Sequence, residues 1–164
     1  MTEILIQNII ENIKTNYTFN THCYNEQTYI KEYNQLVTEC PFLLEHPDYL
    51  FFIKKTGGCD IESKSKDLML GFYGFGIHEA YNLLSAPPFD EDGFSTFGEL
   101  VAEKQKNKYD IFLFLFQPNV KGIFVKKEDS LLPNALLFDN FSSLLESVNN
   151  HTLIDTLNSY FPKS

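Results

Sequence analysis

Asp90-Glu91-Asp92-Gly93, followed by Glu99, is the stretch of this sequence that comes nearest to a metal site. It matches positions three, five, six and twelve of an EF-hand loop, where carboxylates wrap a calcium ion around a glycine turn. Position one would be Pro88, whose side chain cannot ligate, and position eight would be Ser95 in place of a β-branched apolar residue. Pro87-Pro88 also stops a helix from running into the loop. The run therefore reads as an acidic surface loop. His22, Cys23, Cys40, His46 and Cys59 are the softer ligands. They form no Cys-x-x-Cys or His-x-x-x-His pair, which structural zinc sites use. No metal is expected.

Covalent and phosphate chemistry are no better marked. There is no Gly-x-Ser-x-Gly elbow. Cys59 or Cys40 with His78 is the cysteine–histidine pairing left open, because a dyad is built in space and not in sequence. Gly71-x-x-Gly74-x-Gly76 lacks the dinucleotide spacing, and Lys55-Thr56-Gly57-Gly58 is not a Walker loop. These glycines are expected to serve strand geometry. No catalytic residue and no cofactor is expected.

Charge says more. The net charge is −9, and all 13 basic residues are lysines. Arginine is the usual bidentate reader of phosphates and guanine edges, so an acidic chain without it argues against nucleic-acid binding. Residues 60–103 hold nine acids against two lysines, a balance of −7. Residues 1–59 balance at −3 and residues 104–164 at +1. Phe72, Tyr73, Phe75, Tyr81, Phe89, Phe94 and Phe97 lie among those acids. Aromatics ringed by charge have the composition of interface hot spots, and the same rings also suit a core. A basic protein partner fits this field, which would speed its association.

The elements that must carry these residues follow from periodicity. Ile6, Ile9, Ile10 and Ile13 predict an amphipathic helix. Residues 16–27 are polar and read as loop. Tyr29, Tyr33, Leu36 and Val37 give a second helical stripe, broken at Cys40-Pro41. Pro47 opens a third helix carrying Tyr49, Leu50, Phe52 and Ile53, and Gly57-Gly58 closes it. Residues 68–77 read as a strand weakened by Gly71, Gly74 and Gly76, and 85–98 as an exposed loop. The apolar run Ile111 to Phe116 predicts a central strand buried on both faces. Val120 to Lys126 pairs back on it, and Asn134 to Phe138 is a further strand. Asp139 or Asn140 caps a helix through Val148, and Leu153 to Phe161 forms the last. Helices at both ends with strands between predict one α+β domain over 1–164 with an antiparallel or mixed central sheet.

With 164 residues and 43% apolar content, a sizeable core is expected without disulfide or metal. Three widely spaced cysteines are not a disulfide framework, residues 1–15 do not read as a signal peptide, and no run suits a membrane span. Asn16-Tyr17-Thr18 and Asn150-His151-Thr152 match glycosylation sequons, a short pattern common in Asn-rich chains. A soluble, cytoplasmic protein is expected. Lysine-only basic residues and abundant Asn point to an AT-rich genome, as in a low-GC bacterium.

The order of features resembles the SUKH superfamily, which contains bacterial toxin-immunity proteins and yeast cell-wall-synthesis regulators. The helix ending in Thr56-Gly57-Gly58 is similar to that superfamily's helix and Gly-Gly turn. The strand Tyr109 to Phe116, the segment Val120-Lys121-Gly122-Ile123-Phe124-Val125 and the helix Asn140-Phe141-Ser142-Ser143-Leu144-Leu145 are similar to its later part. The usual Asn-Gly-Gly is Thr56-Gly57-Gly58 here, and the chain has no Trp. The resemblance spans roughly residues 40–150. It implies a central sheet flanked by helices, no shared catalytic constellation, and a binding role, often neutralisation of a basic nuclease toxin. The expected function is a non-enzymatic immunity protein, with Tyr73, Phe89, Asp90, Glu91, Asp92 and Phe94 in the contact surface. A regulatory scaffold of the same fold is the alternative, and a small hydrolytic enzyme the third reading.

Overall fold

The structure, a computed structural model, describes residues 2–22, 30–74 and 89–162. The isoleucine stripe Ile6, Ile9, Ile10 and Ile13 is the buried face of α1 (Thr2–Asn16). The chain then enters β1 (Tyr17–Thr21) directly, where a polar loop was expected. Tyr17 and Phe19 alternate with exposed Thr18 and Asn20, so this edge strand is wet on one face and needs few apolar residues. α2 (Ile30–Glu39) buries Leu36 and gives way at Pro41 to a short 3-10 helix, Pro41–Glu45. α3 (Pro47–Thr56) starts on Pro47 and ends at Gly57, which takes the left-handed conformation with φ 66°.

Six further strands follow: β2 (Cys59–Ser63), β3 (Leu68–Phe72), β4 (Ser95–Gln105), β5 (Lys108–Phe116), β6 (Ile123–Lys127) and β7 (Ala135–Phe138). Then come α4 (Phe141–Asn149) and α5 (Leu153–Tyr160). Among the described residues, seven strands form one sheet in chain order, each antiparallel to the next. The fold is thus α+β with an antiparallel sheet. β4 begins inside the expected loop over 85–98, because Ser95 and Thr96 pair with Phe116 and Leu115. Composition marks Ser95-Thr96 as loop; the ladder partner makes it strand. No helix among the described residues is long and apolar enough to cross a membrane.

The register gives the sheet two unlike faces. Cys59, Ile61, Leu70, Phe72, Leu100, Phe112, Phe114, Phe116, Ile123 and Val125 point inward and join the stripes of α1, α3 and α4 in one core. A β-bulge between Thr96 and Gly98 adds one residue to β4 and turns Phe97 inward, where its ring stacks on Phe116 at 3.9 Å. Phe141 meets Tyr49, Phe52 and Phe72 edge-on at 5.0–5.2 Å. Each such pair contributes about 0.5–1.5 kcal/mol beyond burial alone. Phe72 and Phe97, read from sequence among the interface aromatics, are therefore core. So is most of the inward half of β5. Its outward half is Ile111 and Leu113, half-buried, and Leu115, buried outside that core. Burial on both faces thus holds fully only at the Leu115 end.

Polar anchors fix the helices on this core. Asn140 caps α4, its side chain accepting the Ser143 N–H at 2.8 Å. Buried Asp48, in the first turn of α3, accepts the N–H of Ser142 at 2.8 Å and its hydroxyl at 3.0 Å. The other oxygen of Asp48 accepts the Tyr49 N–H at 2.9 Å. One carboxylate thus serves the N-termini of two helices, where the helix dipoles favour negative charge. The Tyr49 hydroxyl, fully buried, donates to the Tyr73 carbonyl at 3.2 Å and ties α3 to the end of β3.

Candidate partner-binding surface

The acidic segment forms a closed turn before β4. The Asp90 N–H donates to the Phe94 carbonyl at 2.8 Å. Asp90 Oδ1 accepts the N–H groups of Asp92 and Phe94, each at 2.9 Å. This is the Asx-type closure that favours Asp at the first position of a turn. Gly93 takes φ 83° within it. Asp90 therefore organises the turn, and Glu91 and Asp92 are the exposed charges it presents. Glu99, the twelfth position of the calcium reading, lies in β4, and its carboxylate neighbours are Glu128 and Asp60. Among the described residues no group of three His, Cys, Asp or Glu side chains could hold a metal ion.

The six residues expected at the interface lie at one end of the sheet, but their rings do not share one neighbour. Exposed Phe89 packs on Phe42 with centroids 5.1 Å apart, against a residue that leans on the core. Phe94 meets Phe124 edge-on at 5.1 Å, and Phe124 belongs to the opposite, outward face. Half-buried Tyr73 is held through its backbone, its N–H donating to the Phe97 carbonyl at 2.8 Å. The turn thus sits on the rim of the sheet, with Phe94 continuing into the outer face.

That outer face is the feature the sequence reading missed. One row across the strands runs Thr18, Glu62, Met69, Val101, Ile111. Glu128 extends it beside β5, its N–H donating to the Ile111 carbonyl at 2.9 Å. The next row runs Asn20, Asp60, Gly71, Glu99, Leu113, Lys126. A third holds Thr96, Leu115, Phe124 and Leu136. Burial raises the pKa of Glu99 above the ordinary carboxylate value, and the charges of Glu128 and Asp60 add to the effect. His22 Nε2 lies 3.2 Å from Asp60 Oδ2. The signal in the sequence was a period of two, with Asp60 and Glu62 alternating with Cys59 and Ile61, and Glu99 with Gly98 and Leu100.

Other titratable groups lie elsewhere. Cys59 is fully buried, and burial, with Asp60 nearby, pushes its thiol well above the ordinary value. A nucleophile needs the opposite shift. His78, its partner in the dyad reading, lies outside the described residues. A cavity of about 510 Å³ opens at the far end of the sheet, where the Tyr17 hydroxyl lies 2.9 Å from His151 Nδ1.

His46 is 2% exposed, stacks on Phe116 at 4.1 Å, and leaves Nε2 without a hydrogen-bond partner. Burial pushes its pKa below the ordinary value, and the Asp48 and Glu45 carboxylates only partly offset this. The unfolded chain therefore takes up a proton first as pH falls. Stability should be full above about pH 6.5 and decline below it, down to the depressed native pKa. Urea midpoints measured from neutral to mildly acidic pH should show that decline, and His46→Phe should flatten it. An unaltered slope would assign the decline to other groups.

No protein-family model matches this chain, and neither does any curated protein or solved structure.

Proposed function

We propose that the chain is a non-enzymatic protein-binding domain of the SUKH type, an immunity protein that neutralises a basic toxin domain such as a nuclease. The observation that supports this reading is the placement of its charge. The acid-rich segment supplies the presented turn at Glu91 and Asp92 and, on β2 and β4, the acids of the outer face. Acids presented together steer a basic partner, and apolar side chains beside them anchor it. The resemblance of the Thr56-Gly57-Gly58 turn and the later strands to the superfamily gives this binding its biological form.

The test is rescue. Cells expressing the toxin encoded beside this gene should survive when this chain is co-expressed, and the two purified proteins should form a stable complex. Neither rescue nor complex would remove the immunity reading. Glu91→Lys with Asp92→Lys should slow association roughly tenfold at low salt and leave dissociation unchanged. Asp90 is kept in that variant, because its carboxylate holds the turn. An unchanged association rate would place the interface away from this turn.

A further inference from the structure

The outer face carries both components of a protein interface, apolar side chains and acids. Met69, Tyr109 and Leu136 are 48%, 52% and 55% exposed on it, and Val101, Ile111 and Leu113 are half-buried between them. None of these belongs to the core. Asp60, Glu62, Glu99 and Glu128 border them, with Lys126 as the one cation in these rows. Among the described residues lysine salt bridges join Lys14 to Glu11 and Lys127 to Asp110, and His22 lies beside Asp60.

We infer that this outer face is the docking surface, and that its occupant is a protein surface presenting lysine or arginine side chains around an apolar centre. The inference rests on the protein-binding reading above and says where the partner sits. Charge complementarity selects the occupant. A second copy stacked face to face would set these carboxylates against the same set, and like charges across an interface repel. A basic partner would instead relieve the repulsion among Glu99, Glu128 and Asp60 while burying Met69, Tyr109 and Leu136.

The probe is a peptide alternating lysine and leucine, with its glutamate–leucine counterpart as control, titrated into the isotope-labelled chain. The lysine peptide should shift the Met69, Ile111, Leu113 and Leu136 methyl signals, and the glutamate peptide should shift none. Glu99→Gln with Glu128→Gln should weaken binding by about threefold or more, while Ile4→Lys on α1 leaves it unchanged. Absence of shifts, shifts located on the helices, or equal binding of both peptides overturns the inference. So does a dimer in sedimentation that Leu136→Lys dissolves. A toxin complex that leaves these signals unmoved removes the docking face and spares the immunity reading. Peptide binding on the face without a toxin complex removes the immunity reading alone.

Discussion

Replacing Asp48 by alanine should lower the stability of the fold by about 3 kcal/mol, because it strands buried donors on two helices. The carboxylate accepts from the Tyr49 N–H, the Ser142 N–H and the Ser142 hydroxyl, and it is 6% exposed. Water has little access to replace it. Asp48→Asn should cost less, since the amide oxygen still accepts one N–H while the amide nitrogen faces the other donors. Ser142→Ala should cost about 1 kcal/mol, removing one donor and leaving the backbone bond in place. Urea unfolding of the three variants orders them. A loss under about 1 kcal/mol for Asp48→Ala would mean that the α3–α4 junction relaxes to admit water.

The same junction shows why parts of the fold were legible in the sequence. Pro47, Gly57 and Asn140 act through their own backbones: a fixed φ, a left-handed φ and a side chain that reaches three residues on. Such signals survive without knowledge of the rest of the chain, and α3 and α4 were readable from them. β1, β2 and the first half of β4 were not. Tyr17 to Thr21 and Cys59 to Ser63 each place only two or three side chains on the core, and their other residues are polar because they face outward. Ser95 and Thr96 are strand only because Phe116 and Leu115 lie opposite. The candidate surface divides in the same way. An acidic turn at Asp90 to Gly93 is local chemistry and was legible. The outer face was not, because Glu62 and Glu128 border the same apolar row only after intervening strands have paired in register.

Gly58→Ala should be far more damaging than Gly93→Ala, although both residues have positive φ. At Gly93 φ is 83° and a Cβ would meet nothing within 4 Å. Its cost is the left-handed backbone alone, about 1–2 kcal/mol. At Gly58 φ is 92°, and a Cβ would lie 2.8 Å from the Phe72 carbonyl oxygen and 2.9 Å from the Gly74 nitrogen. Both are backbone atoms of the β3 end, which cannot swing aside as a side chain can. Gly74 is tighter still, since a Cβ there would run into the Gly57 carbonyl. The α3–β2 elbow and the end of β3 are thus packed backbone to backbone, and Gly58→Ala should cost about 3 kcal/mol or more. Urea midpoints of the two variants measure the difference directly. If they agree within error, the elbow yields freely, and packing does not require the Gly-Gly turn. If Gly58→Ala is the worse by the expected margin, the Gly57-Gly58 turn is required by the contact between α3 and the sheet. Gly93→Ala then supplies a folded variant in which the presented turn alone is altered, and any change it causes in binding of the proposed partner is read at the surface and not through the fold.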